Sequence, residues 1–413
     1  MSNTLLTINQ ITRESMMVFE NSLTFTKRIR RKYDNSFAKS GAKIGSVLNL
    51  RLPPRYVQTS GQGLQLQDVT ETSVPLTLTT QAQRAFQFTS ADLALNIDDF
   101  TKRFVKPAVV SLANQVDSDG LALYKTVYNV VGTPGSPPST LATYLNAGVL
   151  LDNNSTPRDD ERALCINPQM QATIVNSLTN IFNPTGTISR QYEKGQMSTG
   201  TIGFDWYMDQ NVKVHTIGPL GGSTPNVASV PAQGATSIST QGWTAAAALR
   251  LNVGDVFTIG AAGTTPVNGV NPVSLQSTGS LQQFVVTAPV SSDSSGNATI
   301  NFQPPIQSTG PFATVNQLPT TGSTNGLITV FGAGGTATPQ GLAFHPDAFT
   351  WATADLPLPQ GVDMRDRVKD DQLGLSIRLI RAYDINTDRY PLRIDFLYGF
   401  APIYPQWACR IAS

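Results

Sequence analysis

Chemically reactive side chains are scarce in this chain. Two cysteines and two histidines occur in 413 residues: Cys165, Cys409, His215 and His345. Two distant cysteines build no disulfide framework, which fits a reducing cytosol. Four potential ligands with no short spacing among them give no zinc signature. No serine sits in a Gly-x-Ser-x-Gly elbow, and no phosphate-cradling glycine loop carries its lysine. Charge is thin as well. Charged residues make up 14% of the chain, against about 25% in ordinary globular proteins. The net charge is +1, which excludes a dedicated nucleic-acid binder with its strong basic excess. No apolar run approaches the ~20 residues of a membrane helix. The opening MSNTLLTINQITRES lacks the basic-then-apolar layout of a secretory signal. A single core is excluded by length, so two or three domains are expected.

What is there is rich in Gly, Pro, Ser, Thr, Asn and Gln, the composition of strands and loops. One stretch stands out as helical. Ile97, Phe100, Phe104, Ala108, Leu112, Val116, Gly120, Leu123 and Val127 recur every three or four residues, one apolar stripe on a helix. A continuous helix over 97–128 is roughly 45 Å long at ~1.5 Å per residue. Pro107 lies inside it and predicts a bend near Phe104 to Ala108.

Residues 1–36 read as an N-terminal arm, weakly helical from Ile8 to Phe25, with Met16, Phe19 and Leu23 among its possible contacts. It ends in the run Lys27, Arg28, Arg30, Arg31 and Lys32. Such a run is either a solvated face or a surface that meets a polyanion or an acidic partner. Residues 37–90 read as an extended β-hairpin. Its strands begin at Val47, and Val74, Leu76, Leu78, Phe86 and Phe88 alternate with polar neighbours. A two-stranded ribbon is marginal alone, so a neighbouring subunit is the expected support. After the break Gly132 to Pro138, a helix is expected from Ser139 to Leu151 and a buried strand over Arg162 to Ile166. Asn167-Pro168 reads as an N-cap followed by proline at the first helical position, opening a helix from Gln169 to about Ile181.

At Gly218 the composition shifts. From Pro219 to Leu342 the only charged residues are Arg250, Asp255 and Asp293. Short strands at 255–259, 282–287, 298–302 and 327–331 punctuated by turn residues indicate a small β-barrel or sandwich. Both flanks remain mixed α and β, so 218–342 reads as an inserted domain, a device tolerated where the inserted unit's ends lie close together. Beyond it, Leu373 to Leu379 and Leu392 to Tyr398 alternate as two antiparallel strands joined at 384–391.

No residue set qualifies as catalytic, cofactor-binding or metal-ligating. Asp98-Asp99, Asp159-Asp160-Glu161 and Asp370-Asp371 are adjacent acids that point different ways, and Asp98-Asp99 suits a helix N-terminus. Gly332 to Gly335 sits among strands rather than before a helix and reads as a turn.

Several stretches together resemble the major capsid proteins of tailed phages, in the short-tailed branch with an inserted β-barrel. They are Gly341-Leu-Ala-Phe-His-Pro-Asp-Ala-Phe349 with Ala354-Asp-Leu-Pro-Leu-Pro359, Gly254 to Gly260, Gln282 to Ala288, Cys165 to Gln169 and Arg389 to Gly399. The resemblance spans about 40–413 and is specific as an ensemble. It implies an α+β fold of the Hong Kong ninety-seven-like type: arm 1–36, extended loop 37–90, peripheral domain with spine helix 91–134, axial and peripheral parts 135–217 and 343–413, and the barrel 218–342. It implies a virion shell subunit that forms pentamers and hexamers around double-stranded DNA. Scaffolding and portal proteins would be its partners, with no cofactor and no membrane. A tail or fibre protein with an adhesive β-domain is the alternative, but neither repeats nor coiled-coil heptads are present.

Overall fold

The computed structural model describes residues 8–30, 47–89, 104–177, 200, 202–222, 224–260, 266–370 and 375–413. They fall into two compact units. One holds 8–51, 73–120 and 349–403, the other 52–72, 121–348 and 404–413.

The first unit is built on a five-stranded sheet. Its path runs Phe349–Ala354, Arg389–Pro402, Leu375–Arg381, Met364–Asp370, and Thr80–Thr89 also pairs with Arg389–Pro402. Antiparallel register sets Leu379 opposite Ile394 and Phe86 opposite Leu392. The two expected C-terminal strands are therefore present and paired. The expected ribbon is shorter. Only Val47–Leu52 and Thr72–Thr77 form a two-stranded sheet. Phe86 and Phe88 belong instead to a strand of the chain's own larger sheet. A ten-residue strand gains more from a long neighbour than from a marginal two-stranded partner.

Helix Ile8–Ser22 packs against the strands 364–370 and 375–381. Met16, Phe19, Leu23, Phe25 and Ile29 are buried, and the Phe19 and Phe396 rings meet edge to face at 5.2 Å. This part of the arm is thus covered by its own chain rather than held out for a neighbour.

The spine differs from the expected stripe. The α-helix runs Lys106–Leu121, with Pro107 in its first turn, two π-wound residues before it and a tighter turn over Ala122–Thr126. Residues 90–103, including Ile97 and Phe100, lie outside the described residues. The site of the expected bend, 104–108, is where the winding changes from π to α. Phe104 is exposed, while Val105, Val109, Leu112, Ala113, Val116, Leu121 and Tyr124 are buried. A strict four-residue spacing such as Phe104, Ala108, Leu112 advances about 40° per step past a full turn. Such a series winds off the buried face at its ends.

Backbone packing leaves no room for a side chain at Gly399. A Cβ there would lie 1.9 Å from the Thr77 carbonyl oxygen, whereas nothing lies within 4 Å of one at Gly63. Gly399→Ala should cost about 1–3 kcal/mol or more, because main chain must move. Gly63→Ala should stay within about 0.5 kcal/mol. Chemical unfolding of the two variants checks the contrast.

The second unit holds two six-stranded sheets beside two two-stranded ones. One follows the path Val130–Gly132, Ala408–Ala412, Ala337–Phe344, Ala163–Ile166, Asp205–Met208, with Val214–Thr216 on Ala337–Phe344. Helices Leu141–Asn153 and Pro168–Ser177 bury Tyr144, Leu151, Met170 and Ile174 with Leu164, Ile166 and Ile411 of that sheet. Asn167 Oδ1 accepts the Met170 N–H at 2.7 Å, the N-cap read from the sequence. Leu178 and Ile181 lie outside the described residues.

The other sheet is the barrel: Ile328–Val330, Val256–Ile259, Gln283–Val286, Ala298–Ile306, Ala235–Gln241, Asn226–Val227. A bridge between Asn226 and Leu327 all but closes it. Phe257, Phe284 and Phe302 fill it with centroids 5.2–5.8 Å apart. Its entry and exit run side by side, with Ile217 N–H on Thr336 O and Gly335 N–H on Ile217 O. The strand Ala337–Phe344 already belongs to the first sheet, so the barrel's chain ends near Thr336 rather than Leu342.

Candidate functional site

The sequence offered two histidines and three acid clusters, and the fold brings one set together. His345 is buried, with Nε2 3.1 Å from the Asp159 carboxylate and Glu161 near by. The Asp347 backbone N–H donates to His345 Nδ1 at 3.2 Å. That bond assigns the ring proton to Nε2, which donates to Asp159. A cation on Nε2 would need the proton at Nδ1, where an N–H already points. The trio is a hydrogen-bonded corner. Asp98, Asp99 and Asp371 lie outside the described residues, and Gly332 to Gly335 is a turn.

His215, read from the sequence as a structural hydrogen-bonding residue, is buried in a hydrogen-bonded cluster. The Asp255 carboxylate accepts from His215 Nε2 at 2.7 Å and from the Gly218 and Asn252 backbone N–H groups at 3.0 and 2.8 Å. Tyr124 Oη sits 3.2 Å from His215 Nδ1. A neutral imidazole satisfies both ends: Tyr124 donates to Nδ1 and Nε2–H donates to Asp255. Burial pushes the Tyr124 hydroxyl up, against the pull of Arg410. Arg410 Nη1 donates to Gly254 O at 2.8 Å, and its guanidinium lies 5.6 Å from the Tyr124 ring centre. Burial pushes that guanidinium down to about 10, with Tyr124 and Asp255 opposing, so it stays charged at neutral pH. Gly254 has φ +99°, a conformation reserved for glycine, and a Cβ there would lie 3.3 Å from the His215 ring. This cluster joins the barrel, through Gly254 and Asp255, to the mixed sheet through Arg410.

A second seam lies beside it. Gln283 accepts the Val130 N–H at 2.7 Å and returns a bond to Val130 O at 2.9 Å, copying a strand's hydrogen bonding with one amide. The adjoining cleft, about 290 Å³, is lined by Asn129, Asn153, Asn154, Gln282 and Gln283 and by no charged side chain. Asn129 already donates to Gln406 O and Ala408 O, so its amide serves the fold rather than a guest.

The loop 53–71 contrasts with all of this. Leu64 and Leu66 are 88% and 86% exposed, and Tyr56 and Val69 are exposed too. Gln67 clasps Val57 through both main-chain groups at 2.8 and 2.6 Å, so the apolar tip is held rather than left slack. Four apolar side chains of this one loop, Tyr56, Leu64, Leu66 and Val69, are therefore exposed together. The basic run is less concentrated than its sequence. Lys27 is exposed and pairs with Glu20 at 3.5 Å, Arg28 turns back onto the Thr24 carbonyl, and Arg31 and Lys32 lie outside the described residues.

Among the described residues, an exposed apolar loop and a barrel-like sheet are the features that stand out. The family described as "P22 coat protein - gene protein 5" matches residues 3–409. The chain belongs to the P22 coat protein family. It is a major capsid protein of a tailed phage, a structural protein rather than an enzyme. Its α+β fold is of the Hong Kong ninety-seven-like capsid type, and its place is the virion shell, built from many copies. Solved structures similar to it include that of Mycobacterium phage Che8. There the TM-score is 0.46 at 11% identity, covering 94% of this chain and 90% of that one. The capsid of Cyanophage P-SCSP1u gives 0.43 at 11% identity, with 93% and 88% covered. The capsid of Ralstonia phage GP4 gives 0.43 at 7% identity, with 93% and 92% covered. No curated protein matches.

The coat protein's junction was missed in the sequence, though a signal was available. Arg250 and Asp255 are two of only three charges between 219 and 342, and both are buried. A lone charge in an uncharged, strand-rich stretch is a candidate for internal hydrogen bonding. Arg250 spends its donors on Ser292 and on the carbonyls of Leu220, Thr244 and Ala246. Asp255 spends its oxygens on the junction.

Proposed function

We propose that copies of this coat protein join through the loop 53–71 into pentamers and hexamers that close an icosahedral shell around double-stranded DNA. The loop's exposed Leu64 and Leu66 carry the reading, because an ordered apolar tip gains stability only when another copy covers it. Heterologous contacts of this kind close into rings when the rotation allows. Assembly starts as an immature shell on a scaffolding protein, with a portal protein at one vertex. The basic residues Lys27, Arg28, Arg30, Arg31 and Lys32 meet the packaged DNA without reading its sequence. The exposed Lys27 supports that role, since its surface ion pair with Glu20 is weak and exchangeable. The proposed division is an arm, the extended loop, a spine-bearing peripheral domain, an axial domain and the inserted barrel.

Negative-stain microscopy of the purified chain, with and without a scaffolding partner, tests the assembly. Closed or aberrant shells are expected, and a persistent monomer beside the partner would refute it. Leu64→Asp/Leu66→Asp addresses the loop. The double variant should abolish shells while its unfolding midpoint stays within the wild-type range, because both side chains are already in water. Normal shells from it would remove the loop from the contact.

A further inference from the structure

We infer that the barrel's junction holds one bound water molecule, seated against the Arg410 guanidinium as a fixed part of the fold. Arg410 is 1% exposed, yet its Nε and Nη2 have no hydrogen-bond partner among the described residues. Only Nη1 is satisfied, by Gly254 O. Bare N–H groups on a buried cation are costly, and interior donors almost always find an acceptor.

Arg410 also lines a small half-open cleft with room of about 10 Å³, shared with His215, Asp255, Thr338 and Gln340 among others. That is the room one water needs. The charge argues the same way. The Asp255 carboxylate balances Arg410, and the neutral tautomer of His215 adds nothing, so the cluster sums to zero and selects a neutral guest. The protein's own acceptors are engaged, since both Asp255 oxygens accept bonds from His215, Gly218 and Asn252. A water accepts from Nε–H or Nη2–H and turns its own hydrogens toward lining oxygens such as those of Thr338 and Gln340. It thereby completes the guanidinium that reaches across to the barrel.

A structure of assembled shells, at a resolution that shows ordered water, tests this. One density peak within hydrogen-bonding distance of Arg410 Nε or Nη2 in every copy is expected. An empty cavity, or a guanidinium swung onto protein carbonyls, overturns the inference. A peak that strengthens when bromide replaces chloride in the buffer identifies a halide and overturns it too. Arg410→Lys keeps the charge and removes the forked donors, so the peak should vanish. Its persistence would show that other groups hold it. Should this variant fail to fold, the wild-type density decides alone.

Discussion

Asp395→Asn should destabilise the coat protein by about 3–5 kcal/mol, the range for breaking a buried ion pair from one side. Asp395 is fully buried in the five-stranded sheet. Arg378 grips it with Nε on Oδ1 at 2.9 Å and Nη2 on Oδ2 at 2.7 Å. Arg393 Nε and Gln81 Nε2 add bonds to Oδ2 at 2.7 and 2.9 Å. Removing the charge leaves Arg378, itself largely buried, facing a neutral amide. Desolvation alone would raise the Asp395 carboxyl, but the two guanidiniums and the Gln81 amide prevail and hold it below the usual range. A depressed folded-state pKa contributes stability that is present above the unfolded value of about 3.9. That contribution is lost as pH falls through the folded value. The gap between wild type and Asp395→Asn should therefore be full at neutral pH and shrink only below about pH 4. Urea unfolding across that range measures it. Arg378→Gln/Asp395→Asn should cost less than the two single changes summed, because the pair shares one interaction. A gap that persists unchanged at pH 3 would show that Asp395 acts by shape rather than by charge.

Local chemistry was legible wherever it decides structure by itself. Asn167-Pro168 announced a helix start, period-two alternation announced the strands through Leu379 and Ile394, and a sudden loss of charge announced the barrel. What stayed hidden depends on partners distant in sequence. Nothing in Thr80–Thr89 says that its partner is Arg389–Pro402 rather than Val47–Leu52, since alternation fixes a strand's faces but not its neighbour. Asp117 looks like a solvated helix residue, yet it is buried and accepts the Thr26 N–H at 2.9 Å, pinning the end of the arm. Asp255 and Arg410 are 155 residues apart in number and meet only because the barrel's two ends close on one strand. The barrel's last boundary was drawn late for a similar reason. The strand Ala337–Phe344 is as uncharged as the barrel it follows, and only its pairing with Ala408–Ala412 and Ala163–Ile166 assigns it elsewhere.

That boundary decides the second large effect. Excising 219–342 would delete most of Ala337–Phe344, which lies between Ala163–Ile166 and Ala408–Ala412 in the mixed sheet. Such a chain should not fold at all, and its failure would say nothing of the barrel. Excising 219–334 behind a short Gly-Ser link leaves the strand and asks the intended question. Ile217 and Gly335 are already hydrogen-bonded neighbours, so closing the gap imposes little strain. The shortened chain loses Val256 and Val285 from the cluster that covers Tyr128, Val130 and Ala412. It also loses the acceptors at Gly254 and Asp255 that Arg410 and His215 use. Stranding a buried guanidinium costs about 3–5 kcal/mol, and uncovering two aliphatic contacts adds about 1–3 kcal/mol. Against a typical domain stability of about 5–15 kcal/mol, the truncated protein should be marginal, with a melting transition lowered by well over ten degrees or absent. Arg410→Met in the truncated chain should recover part of the loss, because the stranded charge is gone. That recovery separates a junction that needs the barrel's acceptors from one that needs only its bulk: equal melting of the truncated chain with and without Arg410→Met would place the whole effect on buried apolar area.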